Sequence, residues 1–220
     1  MNWMKKVAVA LVCLLPLGLQ AAKVDTLQVK SPSMNKSIEV VVVSPDMAAT
    51  EACPVIYLLH GYGGNARTWV GIKPDLPKIA DEKGIFFVCP DGKNTWYWDS
   101  PLNADVRYET FISDELVKYV DSHYKTVADR KGRAITGLSM GGHGAMWNGL
   151  RHSDVFSAAG STSGGVDIRP FPKNWEMSVQ IGEKAKYPEN WEKYTVINLV
   201  PTLRKDQIAL IFDCGDSDFF

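Results

Sequence analysis

Residues 133–144 read Arg133-Ala134-Ile135-Thr136-Gly137-Leu138-Ser139-Met140-Gly141-Gly142-His143-Gly144. Arg133 to Gly137 reads as a short strand. Ser139 to Arg151, with Ala145, Met146 and Leu150 apolar, reads as the helix after it. The junction, Gly137-Leu138-Ser139-Met140-Gly141, matches Gly-x-Ser-x-Gly. A serine on so tight a strand-to-helix turn sits in strained backbone. A Cβ two residues before or after it would collide with neighbouring main chain, which is the steric reason for glycine at 137 and 141. The bend lifts the hydroxyl above the sheet and sets it at a helix N-terminus, where free amides and the dipole favour developing negative charge. Ser139 is therefore the candidate nucleophile. The plainer alternative is an N-cap on a glycine-rich helix start.

Working outward, Pro54 to Leu59 is an uninterrupted apolar run followed by His60-Gly61-Tyr62-Gly63-Gly64. A strand apolar on both faces suits a parallel sheet covered by helices. Acyl transfer through a tetrahedral intermediate needs two donors aimed at the oxyanion. One is expected from the amide of Met140, after the candidate nucleophile. The other is expected from the glycine-rich loop, with Tyr62 as its donor. Further signals are an opening hairpin through Leu27, Val29 and Ile38 to Val43, and a helix closing at Ile79 and Ala80. A buried strand follows at Ile85 to Cys89, then a helix over Tyr108 to Tyr124 whose apolar face takes in Ile112, Leu116, Tyr119, Val120 and His123. Strands at Phe156 to Ser161 and Gln207 to Asp213 complete the pattern. Alternating strands and helices imply βαβ units and a mainly parallel sheet. From about Gly164 to Lys205 the pattern loosens, and Pro170, Pro172, Trp175, Pro188 and Trp191 mark an excursion over the sheet's carboxyl edge.

Composition narrows the rest. With 24 Lys and Arg against 25 Asp and Glu, the chain offers no electrostatic case for nucleic acid or an anionic membrane surface. Lys5 and Lys6, the apolar run Val7 to Leu19 and the small Ala21 and Ala22 have the layout of a secretory signal peptide over residues 1–22. That leaves residues 23–220 as a single domain with no membrane span, and predicts a secreted or periplasmic location. Of the remaining thiols, Cys53, Cys89 and Cys214 read as small buried hydrophobes, with a Cys53–Cys89 bridge left open. None has a Cys-x-x-Cys partner, so neither a metal nor any other cofactor is expected.

Five segments occur in order: His60-Gly61-Tyr62-Gly63-Gly64-Asn65, Trp96-Tyr97-Trp98-Asp99-Ser100, Tyr108-Glu109-Thr110-Phe111, Gly137-Leu138-Ser139-Met140-Gly141-Gly142 and Asp213-Cys214-Gly215-Asp216-Ser217-Asp218-Phe219-Phe220. In them the chain resembles the esterase family that holds S-formylglutathione hydrolases, bacterial tributyrin and feruloyl esterases, and the mycolyltransferase antigens. The resemblance implies an α/β-hydrolase fold, a three-layer sandwich with helices on both faces of a mainly parallel sheet. It implies a serine carboxylesterase working through an acyl-enzyme on Ser139, with Asp218 as triad acid and Trp96, Tyr97, Trp98 and His60 beside the substrate. The signal peptide turns that expectation towards small acyl esters or acyl groups on polysaccharides. A mycolyltransferase-type acyltransferase and a non-catalytic binding protein are the alternatives.

The family's histidine lies some thirty residues beyond its aspartate. None of His60, His123, His143 and His152 can occupy that position. The expectation is a domain lacking its C-terminal portion, with slow or absent turnover of its own. His60 is expected to stabilise its loop, His123 to lie in the core, and His152 to act as a helix C-terminal cation.

Overall fold

The computed structural model describes residues 22–218, so the expected signal segment lies almost entirely outside the described residues. Seven strands form one sheet in the order β1-β2-β4-β3-β5-β6-β7. β1 (Lys23–Ser31) and β2 (Lys36–Ser44) are an antiparallel hairpin, and β2 pairs antiparallel with β4 (Phe86–Pro90). From β4 onward, β3 (Val55–Leu59), β5 (Arg133–Gly137), β6 (Ala158–Thr162) and β7 (Ala209–Asp213) are all parallel. This is the α/β-hydrolase arrangement, a mainly parallel sheet with helices on both faces.

The strands separate the two cores by alternation. Val40, Val42, Tyr57, Leu59, Phe86 and Val88 point to one face. There they meet Leu116, Val117 and Val120 of α4 (Leu116–His123) and Ala145, Met146 and Leu150 of α5 (Met140–Arg151). Val41, Val43, Leu58, Phe87 and Cys89 point the other way, against Leu76 and Ala80 of α2 (Leu76–Lys83). Successive side chains on a strand face opposite sides, so runs apolar at every position are what two covered faces require. Gly84 closes α2 in the left-handed conformation at φ 62°, where a side chain would be strained.

The expected helix over Tyr108 to Tyr124 is present, with one interruption. α3 (Tyr108–Thr110) runs through a π turn at Phe111–Glu115 into α4. The turn inserts one residue into the helical repeat, so every later position is rotated. Leu116, Val117 and Val120 are buried, whereas His123, the last residue of α4, is exposed and stacks on Tyr119 at 4.0 Å between ring centroids. The core position expected for His123 is corrected accordingly.

Cys53 and Cys89 are buried free thiols in the two opposite cores, which removes the bridge left open by the sequence. Cys214 is exposed rather than buried, because it follows a strand exposed along its length. The excursion carries α6 (Met177–Ile181) and α7 (Pro188–Lys193), and α1 (Thr68–Ile72) lies between β3 and α2. Among the described residues no helix is long and apolar enough to cross a membrane.

Candidate active site

Ser139 sits between β5 and α5 at φ 56° and ψ −117°, a region that non-glycine residues seldom adopt. It is half-buried, so its side chain is neither sealed in nor fully solvated. The steric demand at the turn is explicit. A Cβ at Gly137 would stand 2.3 Å from the Gly141 carbonyl oxygen, and one at Gly141 would stand 2.1 Å from that of Leu59. Backbone hydrogen bonds pin the bend. The Ser139 amide donates to the Thr162 carbonyl (2.9 Å), the Leu138 amide to that of Leu59 (3.2 Å), and the His143 amide to that of Ser139 (3.0 Å).

The glycine-rich loop lies against this turn. A Cβ at Gly61 would come within 3.6 Å of Ser139 Cβ. The Gly61–Tyr62 peptide is held through its carbonyl, which accepts the Gly64 amide at 3.0 Å and His60 Nδ1 at 2.8 Å. His60 Nε2 accepts the Gly92 amide at 2.9 Å, so Nδ1 is the ring nitrogen that donates to the Gly61 carbonyl. Asp91 Oδ1 lies 3.6 Å from that same Nε2, too far to compete with the amide. Because the peptide is planar and trans, fixing the Gly61 carbonyl also fixes the Tyr62 N–H on the opposite side. Among the described residues, the Tyr62 and Met140 amides make no hydrogen bond, unlike those of Gly63 and Gly64. Desolvation, and then the Glu176 carboxylate beside it, raise the Tyr62 phenol above its ordinary pKa.

Trp96, Tyr97, Trp98 and His60 are each at most 1% exposed, so they floor the site and present no open surface to a substrate. Trp96 and Trp98 stack at 5.5 Å, and the His143 ring stands edge-on to both at 5.1 Å. His143 Nε2 accepts the Trp98 indole N–H at 2.9 Å, which puts the proton on Nδ1, facing the Gly165 carbonyl at 2.7 Å. Burial lowers the His143 pKa to about 4, against the pull of that carbonyl. His152 faces a carboxylate as well as a helix end, with Nε2 2.9 Å from Glu109 Oε1, and His123 Nδ1 is engaged with the Tyr119 carbonyl at 2.8 Å. Among the described residues, no histidine ring is hydrogen-bonded to the Ser139 hydroxyl.

Asp218 follows β7. Leu138 bridges Thr162, and Thr162 pairs with Asp213, so β5, β6 and β7 end level with one another. Ser139 and the segment after Asp213 therefore share the carboxyl edge of the sheet, two strand spacings or about 10 Å apart in the sheet direction. Asp218 is half-buried and its amide donates to the Gly215 carbonyl at 3.2 Å. Between β7, α5 and the excursion lies an apolar cavity of about 570 Å³, with Met146, Leu150, Val196, Val200, Leu210 and Phe212 among its walls.

Two site residues carried no sequence signal. Asn94 accepts the Gly63 amide on Oδ1 at 2.9 Å and donates through Nδ2 to Glu176 Oε2 at 3.1 Å, across 82 positions of sequence. Neither lies in a recognisable motif, and only folding brings them together.

A family model described as "Putative esterase" matches residues 31–220. An esterase of Mycobacterium tuberculosis is 30% identical over 149 residues, which are 64% of this chain and 32% of that protein, so the chain spans about a third of this relative's length. Among solved structures, a ferulic acid esterase superposes with a TM-score of 0.70 at 28% identity, covering 89% of this chain and 80% of that one. An S-formylglutathione hydrolase from Agrobacterium tumefaciens gives a TM-score of 0.74 at 22% identity, over 91% and 78% of the two chains, and shows the shared fold.

Proposed function

Because this chain belongs to the esterase family, we propose that it carries the acyl-transfer site of a serine carboxylesterase, with Ser139 as the nucleophile. The observation that carries the reading is the backbone of Ser139, held at φ 56° on a glycine-flanked strand-to-helix bend beside a loop with a free amide. In this reading the Ser139 oxygen attacks the ester carbonyl and forms a tetrahedral intermediate. The amides of Tyr62 and Met140 take its negative oxygen, and the alcohol leaves to give an acyl-enzyme that water hydrolyses. Asp218 is assigned as the triad acid, whose role is to orient and support an imidazole rather than to take the serine proton itself.

That imidazole is the demanding part. A serine hydroxyl is a weak nucleophile until an adjacent base removes its proton. His60 and His143 each have both ring nitrogens engaged, one as acceptor and one at a carbonyl. Turnover by this chain is therefore expected to rest on oxyanion and binding contributions, a rate loss of order 10⁴ or more against a complete triad. The substrate proposed is a small acyl ester or an acyl group on an exported polysaccharide, in keeping with the export signal read in residues 1–22.

The test is acylation of the purified chain by p-nitrophenyl acetate and by a fluorophosphonate, read by intact mass and peptide mapping. Slow modification at Ser139, abolished in Ser139→Ala, is the expected result. Modification elsewhere, or none after prolonged exposure, would remove the assignment. Rapid turnover abolished in Ser139→Ala would keep the nucleophile and overturn the account of its missing base.

A further inference from the structure

Three loops from distant parts of the chain meet beside Ser139. The first is the glycine-rich loop after β3. The second is the segment 91–98 after β4, where Lys93, Trp96 and Tyr97 all have positive φ. The third is the part of the excursion that leads into α6, where Trp175 and Glu176 do as well, at φ 48° and 55°. Five strained non-glycine residues in two touching loops need contacts that over-determine them. Those contacts are specific. The Trp96 indole N–H donates to the Trp175 carbonyl at 3.0 Å, and Gln180 Nε2 reaches the Asn94 carbonyl at 3.5 Å. Asn94 bridges Gly63 to Glu176 as described above.

The two bonds of Asn94 support one another. Its amide has one acceptor and one donor end, and the Gly63 N–H requires the oxygen to face the loop. The nitrogen then points at a carboxylate, which wants a donor. The opposite flip would set two donors against each other and two acceptors against each other.

We propose that Asn94 and Glu176 are positioning residues for the oxyanion donor, through which the excursion sets the geometry of the Tyr62 amide. This rests on the reading of Ser139 and Tyr62 given under Proposed function. The Gly61–Tyr62 peptide is fixed from one side by His60 and Gly64. The next peptide, Tyr62–Gly63, is fixed from the other side by Asn94. A planar peptide clamped at both neighbours has little freedom to turn its N–H away from the developing charge. Glu176 holds Asn94 in the orientation that does this, and its carboxylate also faces the Tyr62 phenol. A small displacement of the excursion would thus be felt as a misaimed donor, with no substrate contact by Asn94 or Glu176.

The experiment joins two measurements on the full chain and on Asn94→Ala, Glu176→Ala and Glu176→Gln. The first is amide hydrogen exchange at residues 61–64. The second is inactivation of Ser139 by a fluorophosphonate, resolved into its maximal rate and its half-saturating concentration. Removing one oxyanion donor costs about 10²–10³ in rate, and a donor left in place but loosely aimed should cost about tenfold. Asn94→Ala is expected to speed exchange at Gly63 and Gly64 and to lower the maximal rate about tenfold at an unchanged half-saturating concentration. Glu176→Ala should do the same more weakly, and Glu176→Gln, which keeps an acceptor for Asn94, should restore both. Unchanged exchange at 62–64 in Asn94→Ala overturns the proposal, as does faster exchange with an unchanged maximal rate. Failure of the unsubstituted chain to label is failure of the Ser139 reading, and the exchange measurement then decides the relay on its own.

Discussion

The centre of the parallel sheet and its β7 edge are built in opposite ways. At β3 and β5, four of five residues of Val55–Leu59 are buried, and the loops beyond are fixed by backbone hydrogen bonds and by glycines with no room for a Cβ. At β7 all five residues are exposed, with Ile211 at 76% and Phe212 at 75%, on alternate faces of a strand paired on one side. The candidate nucleophile and the proposed oxyanion donors belong to the first region. Asp218 hangs from the second. Positioning is therefore already present where the fold is packed on both faces, and it thins out where a strand edge and an apolar groove face solvent.

The sharpest way to break the packed region is Gly141→Ala. The new Cβ meets the Leu59 carbonyl at 2.1 Å and the His60 carbonyl at 2.7 Å, both rigid main chain. Relief requires the turn itself to move, so a loss of about 3–4 kcal/mol is expected, read as a lower urea midpoint at unchanged slope. Unaltered stability would mean that the turn is looser than its geometry states.

A second test uses acid. His143 is fully buried and neutral, with a folded pKa of about 4 against an ordinary value of 6.5. The unfolded chain binds this proton first, so stability is complete above pH 6.5 and falls as pH drops from 6.5 towards 4. The full change is about 3 kcal/mol. Urea midpoints at pH 7, 5.5 and 4.5 should show that slope in the unsubstituted chain and a shallower one in His143→Gln. Equal slopes would place the proton uptake elsewhere.

The exposed region should respond least. Ile211→Lys and Phe212→Lys change solvated positions and are expected to stay within about 0.5 kcal/mol, while reducing association seen by light scattering. A loss of 2 kcal/mol or more from either would show that β7 is covered in solution, and the contrast between the two regions would shrink.

Much of the packed region was legible in the residue order. Continuous apolar runs at Pro54–Leu59 and Ile38–Val43 announce strands covered on both faces, and glycines two either side of Ser139 announce a turn without room for side chains. The π turn at Phe111–Glu115 was not legible, because one inserted residue leaves the apolar spacing plausible in either register. His123 lies outside the core because it is the last residue of α4, where the helix runs out to solvent. The aromatic triplet Trp96-Tyr97-Trp98 looked like a substrate wall and is instead a floor, since its N–H partners, Trp175 and His143, lie 79 and 45 positions away. Asn94 and Glu176 were silent for the same reason: one amide and one carboxylate acquire meaning only through a contact that spans the fold.

The placement of the thiols bears on how this chain would meet an oxidant. Cys53 and Cys89 are walled off from one another by the sheet itself, and burial raises the pKa of each. Neither can reach the other without the sheet coming apart. Among the described residues, only Cys214 is presented to solvent. In an oxidising compartment the folded domain therefore has no internal crosslink to scramble, and any disulfide it acquires through these three residues should join Cys214 to another molecule, visible as a ladder on a non-reducing gel.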